Sequence, residues 1–239
     1  IAIMVNNNKQ SLPQYGIEAA DVIFEASVEG GITRLMAVYP DFNRVPNVCS
    51  IRSCRYYYPI IANGIDAIYI HWGSDKTIAV ETLNRLDITH LDGGAVGAPM
   101  FGRDAERKKK YDLEHTGYLH ESELAKGLTA GGYRTALKEG YNKPILNFHA
   151  ENAPQIPQGT TCTKAIFNFS NAYFSTFTYD EASKVYKKQH SGTPQIDSST
   201  GNQLSFTNVI ALKTDITMRD SRNGLLNIET IVFLKAVVL

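Results

Sequence analysis

Cysteine is scarce in this chain, and its number is odd. Cys49, Cys54 and Cys162 make no disulfide framework and do not fall at a zinc-knuckle spacing. They read as free or partly buried thiols. No stretch approaches the roughly 18 apolar residues that a membrane-spanning helix requires. An excess of one charge is also missing, since 24 Lys and Arg balance 24 Asp and Glu. That balance excludes a dedicated nucleic-acid coat or a polybasic membrane binder and leaves room for a local basic pocket. The P-loop, G-x-G-x-x-G, G-x-S-x-G, H-E-x-x-H and EF-hand signatures are absent. The six histidines show no metal-ligand spacing, so neither a metal nor a cofactor is expected. Internal repeats and low-complexity segments are missing too. The opening residues 1–5 have no charged leader and no cleavage site. The chain starts without Met, as a trimmed or a mature segment does, and any export signal would lie upstream.

What is present is ordinary globular material: 43% hydrophobic and 20% charged residues over 239 positions, enough to bury a core in one large domain or two smaller ones. Residues 22–28 and 32–39 are β-rich and flank Glu29-Gly30-Gly31, which predicts a hairpin. Residues 56–63 read as a short helix with Gly64 as its C-cap, residues 67–71 as a buried strand, and residues 77–86 as a helix. Residues 122–137 carry helical periodicity broken by Gly131-Gly132, which predicts a helix, a turn and a second helix. Strands mixed with helices predict an α/β (α+β) fold: a mixed-sheet N-terminal domain with flanking helices, over residues 1–150. The Pro-, Gln- and Thr-rich stretch 150–161 reads as an exposed linker. Beyond it, period-2 alternation over 165–169, 173–179, 184–188 and 204–212 predicts a smaller β-rich domain, residues 151–239. The apolar run 231–239 ends abruptly and is expected to continue.

Chemistry concentrates in four fragments of the first half. Glu25 sits mid-strand in apolar company and needs a partner, for which Arg34 across the hairpin is the natural candidate, with Glu29 at the turn. Arg52 and Arg55 alternate with Ser50 and Ser53 at the start of a helix, which is expected to bring guanidinium forks, hydroxyls and free backbone N–H groups together, a pattern suited to phosphate, sulfate or carboxylate. His71 and Trp72 follow an apolar strand, where ligands of open α/β sheets bind. Arg103 and His115 lie in Phe101-Gly-Arg-Asp104 and Glu114-His-Thr-Gly117, separated by the solvated basic run 107–110. The expected ligand-binding set is therefore Glu29, Arg34, Arg52, Ser53, Arg55 and Arg103. His71, His115 and Glu25 are the expected acid–base set if the site is catalytic.

These fragments also carry a resemblance. Ile3-Met-Val-Asn-Asn7, the run from Pro13 to Val38 containing E-G-G-I-T-R, S-I-R-S-C-R-Y-Y, A-I-Y-I-H-W-G, F-G-R-D and E-H-T-G-Y together resemble a YerB-like family of predicted bacterial lipoproteins. In the second half, Y-D-E-A-S-K-V-Y and G-T-P-Q-I-D-S-S-T-G-N-Q-L-S-F-T-N-V extend the likeness over most of the chain. The family is built on a domain of unknown function with its own C-terminal companion domain. The resemblance implies export and an extracytoplasmic place on the cell membrane surface, through a lipid anchor on a cysteine upstream of this chain. It supplies no activity. Three readings stand: a module binding an anionic small molecule or cell-wall polymer, a hydrolase-type enzyme on a phosphoester or cell-wall glycan, and a scaffold docking a protein partner.

Overall fold

The apolar opening run forms the central strand of the larger sheet. β1 (Ala2–Asn6) is buried along its whole length. It pairs antiparallel with β3 (Ile32–Val38), which pairs in turn with β2 (Val22–Val28). The chain then runs through β4 (Val48–Cys49) to α1 (Tyr57–Gly64). On its other side, β1 pairs parallel with β5 (Tyr69–His71), which pairs parallel with β6 (His90–Asp92) after the crossover helix α2 (Ile78–Arg85). The sheet order is β2-β3-β1-β5-β6. The computed structural model describes residues 1–141 and 159–228 and the backbone of Val237–Val238.

Alternation along these strands sorts side chains to two faces. Ala2, Met4, Met36 and Tyr69 pack beneath α1 and α2 against Tyr58, Ala62, Ala79 and Leu83. Ile3, Val5, Leu35, Ala37, Ile70 and Leu91 form the opposite core. That core is closed by a small sheet of β4, β7 (Phe101–Arg103) and β8 (Gly117–Leu119), and by α4 (Glu121–Ala130). The short α3 (Gly93–Val96) joins β6 to β7. Leu124 and Leu128, one turn apart on α4, are fully buried, and each such side chain contributes about 1.5–3 kcal/mol by burial.

The β-rich second half is present as expected. β9 (Lys164–Asn168), β10 (Phe174–Asp180), β11 (Val185–His190) and β12 (Thr193–Pro194) form one antiparallel sheet, with β13 (Ser205–Phe206) also on β11. β14 (Ile210–Ala211) pairs with the backbone of Val237–Val238, and β15 (Ile216–Asp220) with β16 (Leu225–Ile228). This half sits against the first through buried polar groups. Lys188 Nζ lies 3.2 Å from Glu25 Oε2. Gln195 Nε2 donates to Asn7 Oδ1 at 2.9 Å, and His190 Nε2 is 2.9 Å from the Asn7 carbonyl. Tyr56 donates to Asn227 on β16 at 2.7 Å. These contacts fall at Glu25 on β2, an edge strand of the larger sheet, at Asn7 just past β1, and at Tyr56 just ahead of α1.

Three local expectations need correction. Gly64 is the last helical residue and Ile65 caps α1. The second helix after Gly131-Gly132 does not form: α4 ends at Ala130, and Arg134 instead reaches back to Asp66 at 2.7 Å. The reach satisfies an aspartate whose side chain is only 2% exposed, which outweighs weak helical propensity. The run 204–212 splits into two short strands. Most of the expected linker 150–161, with the 150/151 boundary, and most of the run 231–239 lie outside the described residues.

Candidate functional site: an arginine-rich strand end

β1, β5 and β6 run parallel, so Asn6, His71 and Asp92 end at the same edge of the sheet. Residues 50–55 are laid across that edge as a strap. Ile51 N donates to Gly117 O, Arg52 N to Met4 O and Cys54 N to Gly73 O, while Trp72 N donates to Arg52 O. These amides are spent, and α1 begins only at Tyr57. The expected helix-terminus cradle of free N–H groups is therefore corrected to a hydrogen-bonded strap, from which the arginine side chains alone project.

One group lies beside α1. Arg34, 3% exposed, donates to the Ser53 carbonyl and lies 3.3 Å from Glu29 Oε1. Arg55 Nε donates to Glu29 Oε2 at 2.8 Å, and its Nη2 contacts Glu29 Oε1. Burial pushes the Glu29 carboxyl up, but Arg55 and Arg34 outweigh it and hold it below its ordinary value. Burial, reinforced by the Arg55 charge, lowers the Arg34 guanidinium to about 10. Ser53 thus acts through its backbone oxygen.

The second group faces outward. Arg52 Nη2 donates to Glu114 Oε2 at 2.8 Å. The Arg103 guanidinium stacks on the Trp72 ring at 4.0 Å and donates to the Leu113 carbonyl. Burial lowers the Arg103 pKa, and the nearby Arg52 charge adds to it. His115 Nδ1 is 2.7 Å from Asn6 Nδ2, which can only donate, so His115 is neutral with its proton on Nε2. That Nε2 is buried without a hydrogen-bond partner, 3.5 Å from Glu114 Oε1. Arg34, Arg103 and His115 all sense the charge of Arg52, which links the two groups.

Two expected members stand apart. Glu25 is opposite Leu35 in the hairpin, one position out of step with Arg34, so the two point to opposite faces. The expected Glu25–Arg34 pair is replaced by Glu25 with Lys188, Ser175, Thr33 and Asn7. His71 shares the Tyr69 face, opposite Glu25, and both its nitrogens are engaged: Nδ1 with Gly73 O at 2.8 Å and Nε2 with His90 Nδ1 at 2.9 Å. His90 was not singled out from sequence, nor were Asn6 and Glu114. The signals existed, His90 in the third strand end His-Leu-Asp and Glu114 beside His115.

Burial holds His71, His90, His115 and His190 below the ordinary imidazole value. The unfolded chain then binds more protons than the folded one at mildly acidic pH. This contribution to stability is complete above the unfolded value near 6.5 and is lost as pH falls from there toward the folded values. Urea midpoints are expected to be flat above about pH 7 and to fall as the pH drops below about 6.5. A midpoint that rises on acidification through that range contradicts the assignment.

The molecule so described is a two-part α+β protein: a mixed sheet with an arginine-rich strand end, and a β-rich half docked on its edge. The chain belongs to the family described as protein of unknown function DUF3048, whose N-terminal domain matches residues 1–134 and whose C-terminal domain matches residues 165–239. It is 26% identical over 221 residues to "Putative lipoprotein YerB" of Bacillus subtilis (strain 168), covering 89% of this chain and 61% of that protein. The chain therefore spans less than two thirds of that relative. The crystal structure of the YerB protein from Bacillus subtilis shares the fold, with a TM-score of 0.78 at 23% identity over 96% of this chain and 73% of that one. Among the described residues no helix is long and apolar enough to cross a membrane.

Proposed function

We propose that the chain is the extracytoplasmic part of a lipid-anchored cell-surface protein that holds an anionic ligand on Arg52 and Arg103. The anchoring follows the name of the relative. The ligand reading rests on one observation: Arg34 and Arg55 share Glu29, Arg52 pairs with Glu114, and Arg103 is bonded to a carbonyl and a ring instead of a carboxylate. A phosphate, sulfate or carboxylate, free or on a cell-wall polymer, supplies the missing charge. Trp72 fixes the plane of Arg103, and the Nε2–H of His115 offers a further donor. Glu114, with a side chain 51% exposed, occupies part of the place an anion takes. Acid–base chemistry through His71 and Glu25 has no support, because the two lie on opposite faces and His71 has no unbonded nitrogen.

Calorimetric titration with inorganic phosphate at low salt tests the reading. Saturable binding is expected, weakened at least ~10-fold by Arg52→Gln or Arg103→Gln, in line with the loss of one charge-assisted hydrogen bond. Glu114→Gln is expected to strengthen binding, because it removes the competing carboxylate. Absence of binding by the folded wild type, or equal binding by both arginine variants, defeats the proposal.

A further inference from the structure

An opening at the junction of the two halves differs in character from the arginine-rich strand end. It is a cleft of about 350 Å³ lined by Tyr15, Asn47, Tyr118 and His120 from the first half and Ser198 and Ser199 from the second. That volume falls within the ~300–1,000 Å³ of small-molecule sites. Its lining contains no Lys, Arg, Asp or Glu. Tyr118 is opposite Gly102 in the β7–β8 ribbon, while Arg103 is opposite Gly117. Alternation therefore turns Tyr118 and Arg103 to opposite sides of the ribbon, which is a wall shared by two different sites.

We propose that this cleft binds an uncharged sugar unit. The aromatic walls are fixed before any ligand arrives. Tyr118 lies close over Gly102, where a Cβ would stand 2.7 Å from the ring, and it meets His120 at 6.0 Å. Tyr15 donates its hydroxyl to Asp104 Oδ2 at 2.7 Å, which anchors the ring at its edge. The polar rim is fixed as well. Asn47 Oδ1 accepts from Glu121 N at 3.0 Å, leaving the amide NH2 group as a donor. Ser199 Oγ donates to Asp197 Oδ1 and Ser198 Oγ to the Gln14 carbonyl, so both hydroxyl oxygens retain acceptor capacity.

The ligand class follows from that inventory. A pyranose presents an apolar C–H face for a tyrosine ring and a girdle of hydroxyls for amide and hydroxyl partners. An anion meets no cationic side chain of Lys or Arg here, and a wholly apolar ligand leaves the rim hydroxyls desolvated without partners. Because both halves contribute, a bound sugar ties them together.

The test is an amide chemical-shift titration of the folded protein with N,N′-diacetylchitobiose and, separately, maltose. Saturable shifts at Tyr118, Ser198 and Ser199 with at least one of these sugars are expected, unaffected by Arg52→Gln. Tyr118→Ala is expected to weaken the response ~10-fold, the scale of a lost aromatic contact. Ser199→Arg, at an exposed position where Asp197 keeps its bonds from the Glu18 and Ser199 backbone amides, is expected to block the cleft and abolish the response; it decides the matter if the tyrosine variant does not fold. No saturable shift with either sugar, or equal affinity in a folded variant, overturns the proposal. The outcome is independent of phosphate binding at the arginines.

Discussion

Replacing Lys188 with Met is expected to lower stability by about 3–5 kcal/mol at neutral pH, the loss typical of a buried ion pair deprived of one member. Lys188 is 2% exposed at its side chain and Glu25 11%. Lys188 Nζ also donates to Ser175 Oγ at 2.9 Å and Gln195 Oε1 at 2.7 Å. Burial drives the Glu25 carboxyl up, yet Lys188 and the hydroxyls of Ser175 and Thr33 outweigh it, and the net shift is downward. In the wild type, the ionised form of Glu25 therefore stabilises the fold above the ordinary carboxylate range, and this is lost as pH falls through the folded value. In Lys188→Met the Lys188 charge is gone and burial is opposed only by the hydrogen bonds from Ser175 and Thr33, so protonation of Glu25 relieves part of the penalty. The stability gap between the two proteins is thus expected to narrow toward acid pH. Adding Glu25→Gln to Lys188→Met is expected to recover most of the loss, because no unpaired charge remains. Urea unfolding of all four members of the cycle measures the coupling; additive effects contradict it.

Glu29→Ala carries the second large effect. It leaves Arg34, 3% exposed and with Nε already unpartnered, beside a second guanidinium and without its carboxylate. Glu29 is 26% exposed at its side chain, so the expected loss is about 2–4 kcal/mol, below that of a fully buried pair. The variant opens a space shaped by two guanidiniums for a carboxylate-sized anion. Sulfate is therefore expected to raise the melting temperature of Glu29→Ala more than that of the wild type. Arg34→Met, which removes the buried charge itself, is expected to cost less than Glu29→Ala. Thermal melts with and without sulfate check both orderings, and an equal sulfate response in the two proteins counts against the charge account.

Sequence and structure agree where the signal is local. The alternation of 22–28 and 32–38 around Gly30 and Gly31, both with positive φ, gives the hairpin directly. The apolar run ending in His71 gives the strand, and the position of His71 at its carboxyl end follows. What could not be read is register and long-range partnership. A shift of one residue decides whether Glu25 faces Arg34 or the second half, and only pairing with Leu35 settles it. Lys188 looks like any charged residue of an alternating strand until the β-rich half is docked on β2. The strap 50–55 reads as a helix approach because Tyr57 does start a helix; its amides are claimed by carbonyls of Met4 and Gly73, which proximity in sequence does not reveal. Asn7, Gln14 and Gln195 look like ordinary polar residues in sequence, yet they join the two halves through buried side-chain amides.

The most direct measurement is a crystal structure of this chain soaked in phosphate. The account predicts a tetrahedral oxyanion within hydrogen-bonding distance of Arg52 and Arg103 beside Trp72, with Glu114 turned away toward solvent. Crystals that stay empty there, with Glu114 still on Arg52, contradict it.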